Sequence, residues 1–197
     1  METKTIQQIQ NELAAPFTKE VSGKIYPAHK WLPKTASRDG KKMMCIAYLD
    51  RDLVIQRLNS VLGVDGWQFD VKELSDGSKV GTLSIKVSGM WIDKSDVGTK
   101  TAVEGEKGSV TDALKRCATL FGVGTYLYNL GSRWVDAMPG GNGKPQPCHN
   151  GKILYGDDLS NYINGMSSAQ GLMYQIFSLR PELKEDQEAK NLWFKLA

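Results

Sequence analysis

Glu106-Lys-Gly-Ser-Val-Thr-Asp-Ala-Leu-Lys-Arg-Cys-Ala-Thr-Leu-Phe-Gly122 is the stretch that decides how the rest of this 197-residue chain is read. At about 100° per residue, Val110, Ala113, Leu114, Cys117 and Phe121 share one stripe, the pattern of an amphipathic helix. Asp112, Lys115, Arg116 and Thr119 fall on the opposite side, and Gly122-Val-Gly124 stops the helix. Adjacent Lys and Arg on an exposed helical face can reach neighbouring phosphates, Arg by bidentate contact and Lys as a point charge. Periodicity alone leaves the other reading open, a solvated face with no ligand.

Upstream of this helix the period changes to two. Trp67, Phe69 and Val71 alternate with Gln68, Asp70 and Lys72, as in a strand with one buried face. Asp76-Gly77 is a hairpin signal. A second strand is expected over about 79–92, and a third through Val97–Val103. Further back, Val54, Ile55, Leu58, Val61 and Leu62 predict a helix from Asp50 or Arg51 to Leu62, with Gly63 capping it. The apolar run 43–49 has strand character, 18–41 predicts irregular structure or short strands, and 4–14 has helical spacing ended by Pro16.

Downstream, Tyr126-Leu-Tyr128 starts a short element, and 139–152, PGGNGKPQPCHNGK, has the composition of a linker. Two short amphipathic helices are expected over 167–180 and 182–196. The fold class is therefore α+β: a domain over 1–138, a linker over 139–152, and a helical C-terminal segment over 153–197 expected to be dispensable.

The net charge of +3 is small, but its distribution is uneven. Residues 1–137 carry 19 basic and 16 acidic side chains, whereas 138–197 carry six of each. The densest stretch is 19–42, where Lys19, Lys24, Lys30, Lys34, Arg38, Lys41 and Lys42 face only Glu20 and Asp39. Such an excess suits a phosphate-seeking surface and equally a solubilising loop.

Several chemistries lack their residues. Gly140-Gly-Asn-Gly-Lys144 runs into Pro145 rather than into a helix, so no nucleotide-binding phosphate loop is written. Asp50 with Asp52, and Asp93 with Asp96, have no Glu-x-Lys companion for a nuclease. Cys148-His149 has no second ligand pair for zinc, and three widely spaced cysteines form no disulfide framework. No catalytic residue, metal or cofactor is expected. The N-terminus lacks a secretory layout and no window is apolar enough for a membrane span, so a reduced intracellular compartment, the cytoplasm of a bacterial or phage-infected cell, is expected.

The run 106–122 closely resembles the signature helix of the Rad52/Rad22 annealing family, matching at Val110, Thr111, Asp112, Leu114, Lys115, Arg116, Phe121 and Gly122. Tyr48-Leu-Asp50, Val54-Ile55, Leu58-Asn59, Gly63 and Gly66-Trp67 follow the family's order, as does Asp96-Val-Gly98. Leu13-Ala-Ala-Pro-Phe17 resembles the opening of phage and bacterial members.

The resemblance implies a β-β-β-α core that assembles into homo-oligomeric rings or helical filaments. It also implies single-stranded DNA binding in a basic groove and ATP-independent annealing, in homologous recombination and double-strand break repair. Lys115 and Arg116 fall on the family's DNA-contacting pair; Arg51, Lys107, Lys41 and Lys42 are further candidates. Tyr126 and Tyr128 are candidates for base stacking or, alternatively, for core packing. Thr119 stands where many relatives carry Arg, and Asp52 and Leu53 where they often carry a basic residue. A single-strand binding protein or an exonuclease is a candidate partner. Rival expectations are a passive single-strand protector and an oligomer that has lost DNA binding.

Overall fold

The computed structural model describes residues 4–21, 24–98 and 105–165. In chain order the elements are α1 (Ile6–Ala14), β1 (Thr18–Val21), β2 (Lys24–Pro27), β3 (Lys30–Ala36), β4 (Lys42–Tyr48), α2 (Arg51–Leu62), β5 (Trp67–Glu73), β6 (Lys79–Val87), β7 (Met90–Gly98) and α3 (Gly105–Leu120). A 3-10 helix (Thr125–Leu130), β8 (Ser132–Pro139), β9 (Pro145–His149) and β10 (Lys152–Ile153) follow, then α4, described over 156–165. The chain makes two compact units, interleaved along the sequence. The first takes the N-terminal residues to Phe17 and then Leu49–Gly131; the second takes Thr18–Tyr48 and the chain from Ser132.

The first unit is a β-β-β-α arrangement with two more helices. Its sheet is antiparallel, in the order β5-β6-β7. On β6 every second residue from Lys79 to Val87 is buried, Leu83 completely, so the face built on Leu83, Ile85 and Val87 is the one covered. Ala113, Leu114, Cys117 and Ala118 of α3 are buried above the sheet, and α3 contacts both β6 and β7. The approach is close because the sheet offers glycine beneath the helix. A Cβ at Gly98 would stand 1.9 Å from the Ser109 carbonyl oxygen, and one at Gly81 would stand 2.9 Å from the Ala113 Cβ. Val54, Leu58 and Val61 of α2 and Ile9 and Leu13 of α1 complete this core. Thr5 starts α1 with a capping box, accepting from the Gln8 N–H at 3.2 Å while its own N–H donates to Gln8 Oε1 at 2.7 Å.

The second unit carries a two-stranded sheet, β1-β2, and a five-stranded antiparallel sheet in the order β10-β9-β8-β4-β3. β4 pairs with β8 from Lys42↔Asp136 to Ile46↔Ser132. Leu159 and Ile163 of α4 are buried, and two polar side chains of this helix serve Trp31. The Trp31 backbone N–H donates to Ser160 Oγ at 3.0 Å, and its indole N–H donates to Asn164 Oδ1 at 2.7 Å. Asn164 in turn donates to the His29 carbonyl oxygen at 3.1 Å.

Three expectations need correction. The single strand over 79–92 is two strands, because Ser88 and Gly89 both adopt positive φ (51° and 82°) and reverse the chain in two residues. The third strand is therefore β7, ending at Gly98; residues 99–103 lie outside the described residues. The expected linker 139–152 contains β9 and the start of β10, its glycines forming the turn after β8 with Gly140 N–H on the Lys144 carbonyl at 2.9 Å. The segment from 153 is likewise no separate appendage as far as 165, since α4 closes over Trp31. The helices expected over 167–180 and 182–196 lie outside the described residues.

Candidate nucleic-acid interface

On the outer side of α3, Arg116 is half exposed and is held by the neighbouring edge strand. Its Nε donates to Asp96 Oδ1 at 3.1 Å, Nη2 lies 3.1 Å from the same oxygen in an ion pair, and that oxygen also accepts the Val97 N–H at 2.7 Å. An exposed ion pair of this kind is worth about 0–1 kcal/mol. It orients the guanidinium without withholding it from a phosphate. Lys94, two residues earlier on β7, donates to the Leu120 carbonyl at 2.6 Å and lies 4.7 Å over the Phe121 ring. A cation there suits the negative end of the helix dipole. Lys115 is half-buried beside Arg116, and Thr119 donates its hydroxyl back to the Lys115 carbonyl at 2.9 Å.

Arg51 opens α2 and donates from Nε and Nη2 to Asp52 Oδ1, at 3.1 and 3.0 Å. It also rims a groove of about 400 Å³ lined by Ile55, Trp67, Phe69, Val110, Thr111 and Leu114, so the fold brings Arg51 beside α3. Val110, expected in the buried stripe, is 36% exposed at this groove. Lys107 belongs to α3, but its side chain lies outside the described residues.

Lys41 and Lys42 belong to the other unit, at the β3–β4 hairpin. Asp39 shapes this turn by accepting from Ser37 Oγ at 2.6 Å and from the Lys41 N–H at 3.1 Å; the Ser37 bond, chiefly, lowers its carboxyl pKa. Arg38 and Lys41 are exposed there. Lys42 is tied to Asp136 at 2.7 Å across the β4–β8 ladder, which raises the lysine pKa and lowers that of the carboxyl.

Tyr126 is half-buried, and its hydroxyl oxygen accepts the Phe17 N–H at 3.4 Å, with burial raising its pKa. Tyr128 is 77% exposed. Two residues escaped the sequence analysis. Arg57 donates to the carbonyls of Glu12, Leu13 and Ala15 (2.7, 3.3 and 2.6 Å) and lies 4.0 Å over the Phe17 ring, satisfying the open end of α1. A single basic residue inside α2 carried no signal of that task. Asp96 was visible only as part of a motif, not as the partner of Arg116.

Among the described residues, no three His, Cys, Asp or Glu side chains gather as a metal site requires. His149 instead packs its ring 4.3 Å from that of Tyr162. No helix among them is long and apolar enough to cross a membrane.

A three-stranded antiparallel sheet covered by one helix, with a basic pair on that helix's outer side, defines an α+β protein of the β-β-β-α kind. The chain belongs to the Rad52/22 family of double-strand break repair proteins, whose family model matches residues 5–139. It is similar to the single-stranded DNA-binding protein DdrA of Deinococcus deserti, 34% identical over 136 residues, which cover 66% of this chain and 61% of that protein. The DdrA of Deinococcus radiodurans is 32% identical over 137 residues, covering 66% of this chain and 60% of that one. The matched region thus spans about three-fifths of the length of these relatives.

Proposed function

We propose that this protein binds single-stranded DNA and anneals complementary strands without ATP, as a homo-oligomer acting in homologous recombination and double-strand break repair. The observation that carries this is the outer side of α3, where Arg116 is exposed yet oriented by Asp96, with Lys115 next to it. Contacts to phosphate hold any strand and leave base edges free to pair. Family membership and the relatives' printed name support the same function. Arg51 and the hairpin residues Arg38, Lys41 and Lys42 are proposed as additional backbone contacts, with Lys107 on the same helix as α3's basic pair. Tyr128, being exposed, is a better stacking platform than Tyr126.

Mixing complementary labelled oligonucleotides without ATP or magnesium tests this directly. The protein should accelerate duplex formation above the spontaneous rate. Binding that instead slows pairing would make it a passive protector, a second reading favoured by the relatives' name, which speaks of binding alone. Absence of salt-dependent binding would leave an oligomer without DNA. We further place it in the cytoplasm, with a single-strand binding protein or an exonuclease as partner.

A further inference from the structure

The inward face of β7 runs in step with α3. Gly98 lies against Ser109 and Ala113, Asp96 meets Arg116, and Lys94 reaches the Leu120 carbonyl, so every second residue of the strand serves a successive turn of the helix. Gly98 allows the close approach and Lys94 satisfies the helix end. Asp96 does something else: it sets a carboxylate against a cation proposed above to hold phosphate, where a second anion is unwelcome. The pairing recurs at other proposed contacts. Arg51 donates to Asp52 Oδ1 at 3.1 and 3.0 Å, and Lys42 to Asp136 at 2.7 Å. The Asp52 and Asp136 side chains are 73% and 62% exposed, so water and salt screen them. Asp96 is 26% exposed, lies in the β6–β7 ladder opposite Gly81, and is fixed by the Val97 N–H.

We infer that Asp96 sets how long Arg116 keeps a phosphate: it is a positioning residue that aims the guanidinium and, by its charge, hastens release of the strand. This role rests on the single-strand annealing reading above and deepens it. A guanidinium carries five N–H donors in a planar fork. Asp96 takes the Nε–H and faces Nη2, which leaves the Nη1–Nη2 edge for a phosphate, so one side chain can hold both anions. A lysine ammonium is a single point charge and cannot be divided in this way. Two anions on one cation repel, so phosphate is held less tightly than it would be beside a neutral acceptor. Such differences fall mainly on dissociation. Annealing gains from the weakening. Phosphate contacts that open readily let a strand shift until its bases match, whereas persistent contacts hold it in a mismatched register.

Stopped-flow release of a short fluorescent oligo(dT) from the full chain tests this. Asp96→Asn keeps an oxygen for the Arg116 Nε–H and the Val97 N–H but removes the charge. It should release DNA about two- to five-fold more slowly, and at saturating protein it should anneal complementary oligonucleotides more slowly than the unmodified chain. Asp96→Ala, which removes charge and acceptor alike, should bind more weakly than Asp96→Asn. Neither substitution should change release once Arg116→Ala is present. Arg116→Lys, with Asp96 untouched, should release DNA nearly as fast as Arg116→Ala; this comparison decides even if Asp96→Asn fails to fold by circular dichroism. If the unmodified chain does not bind oligo(dT), the annealing reading falls and this role with it. If it binds, four results would each overturn the role of Asp96 alone. They are release or annealing from folded Asp96→Asn as fast as from the unmodified chain, equal binding by the Asn and Ala variants, an Asp96→Asn effect that survives Arg116→Ala, and undiminished binding by Arg116→Lys.

Discussion

Lys115 and Arg116 are neighbours in sequence with different surroundings: Arg116 is half exposed and pinned at one oxygen of Asp96, whereas Lys115 is half-buried. If each meets one phosphate, Lys115→Ala and Arg116→Ala should each lower the salt-dependence slope of single-strand binding by about 0.7. Titrations at several salt concentrations, on variants with unchanged oligomeric mass, check this; an unaltered slope would remove the residue from the interface. His29 makes a different prediction. Burial beside Trp31, whose ring lies edge-on at 5.6 Å, lowers its pKa from 6.5 to about 4. Above pH 6.5 the imidazole is neutral in both folded and unfolded chains. Below it, the unfolded chain takes up a proton that the folded one refuses until about pH 4. Stability should therefore fall by up to about 3 kcal/mol as pH drops through that window. Urea unfolding of the unmodified protein and of His29→Gln should show that this component of the pH dependence disappears in the variant. Parallel curves would mean that the histidine titrates normally.

At the scale of elements, α4 is the one whose importance was least expected. A chain ending at Met138 loses β9, β10 and α4, and leaves the buried Trp31 indole and backbone N–H groups without Asn164 and Ser160. Each unsatisfied buried donor costs about 1–3 kcal/mol. That truncation should therefore unfold the second unit, visible as lost thermal cooperativity; a soluble, cooperatively melting product would show α4 to be dispensable after all. The sequence carried α2, β5 and α3 clearly because their apolar spacing is regular and each ends at a glycine or a turn pair. It concealed the β8–β9 hairpin because Gly140, Gly141 and Gly143 and the prolines at 139, 145 and 147 imitate a linker by composition, whereas pairing depends on where each backbone donor points. It concealed the β6–β7 reversal because Ser88 takes positive φ without being Asn or Asp. The site was half legible for a similar reason. Motif and periodicity pick out Lys115 and Arg116, but Asp96, Lys94 and Arg57 act through contacts far apart in sequence, which no local pattern encodes.

For the whole molecule, a few phosphate contacts per copy give weak binding at physiological salt, and repeating them along an assembly makes each further contact intramolecular. If the protein assembles as proposed, its affinity should accordingly rise steeply with oligonucleotide length in binding titrations, whereas a protein that binds as single copies should show little dependence on length. The interleaving of the two units has a consequence for how the chain reaches this state. β4 cannot meet β8 until residues 49–131 have been looped out, a closure costing about 4 kcal/mol in chain entropy for a flexible segment of that length. Folding of the inserted unit changes that cost. A Cβ on Gly124 would stand 2.8 Å from the Leu49 side chain, so the folded insert already holds position 124 against the end of β4. Only residues 125–131 then remain to be spanned, which reduces the closure entropy by about 2 kcal/mol. As the ribosome releases the chain, the inserted β-β-β-α unit should therefore mature first and act as the clasp that brings the two halves of the outer sheet together. Pulse-labelled hydrogen exchange during refolding should protect the amides of β6 before those of β4 and β8. Simultaneous or reversed protection would mean that the five-stranded sheet closes without help from the unit inserted in its sequence.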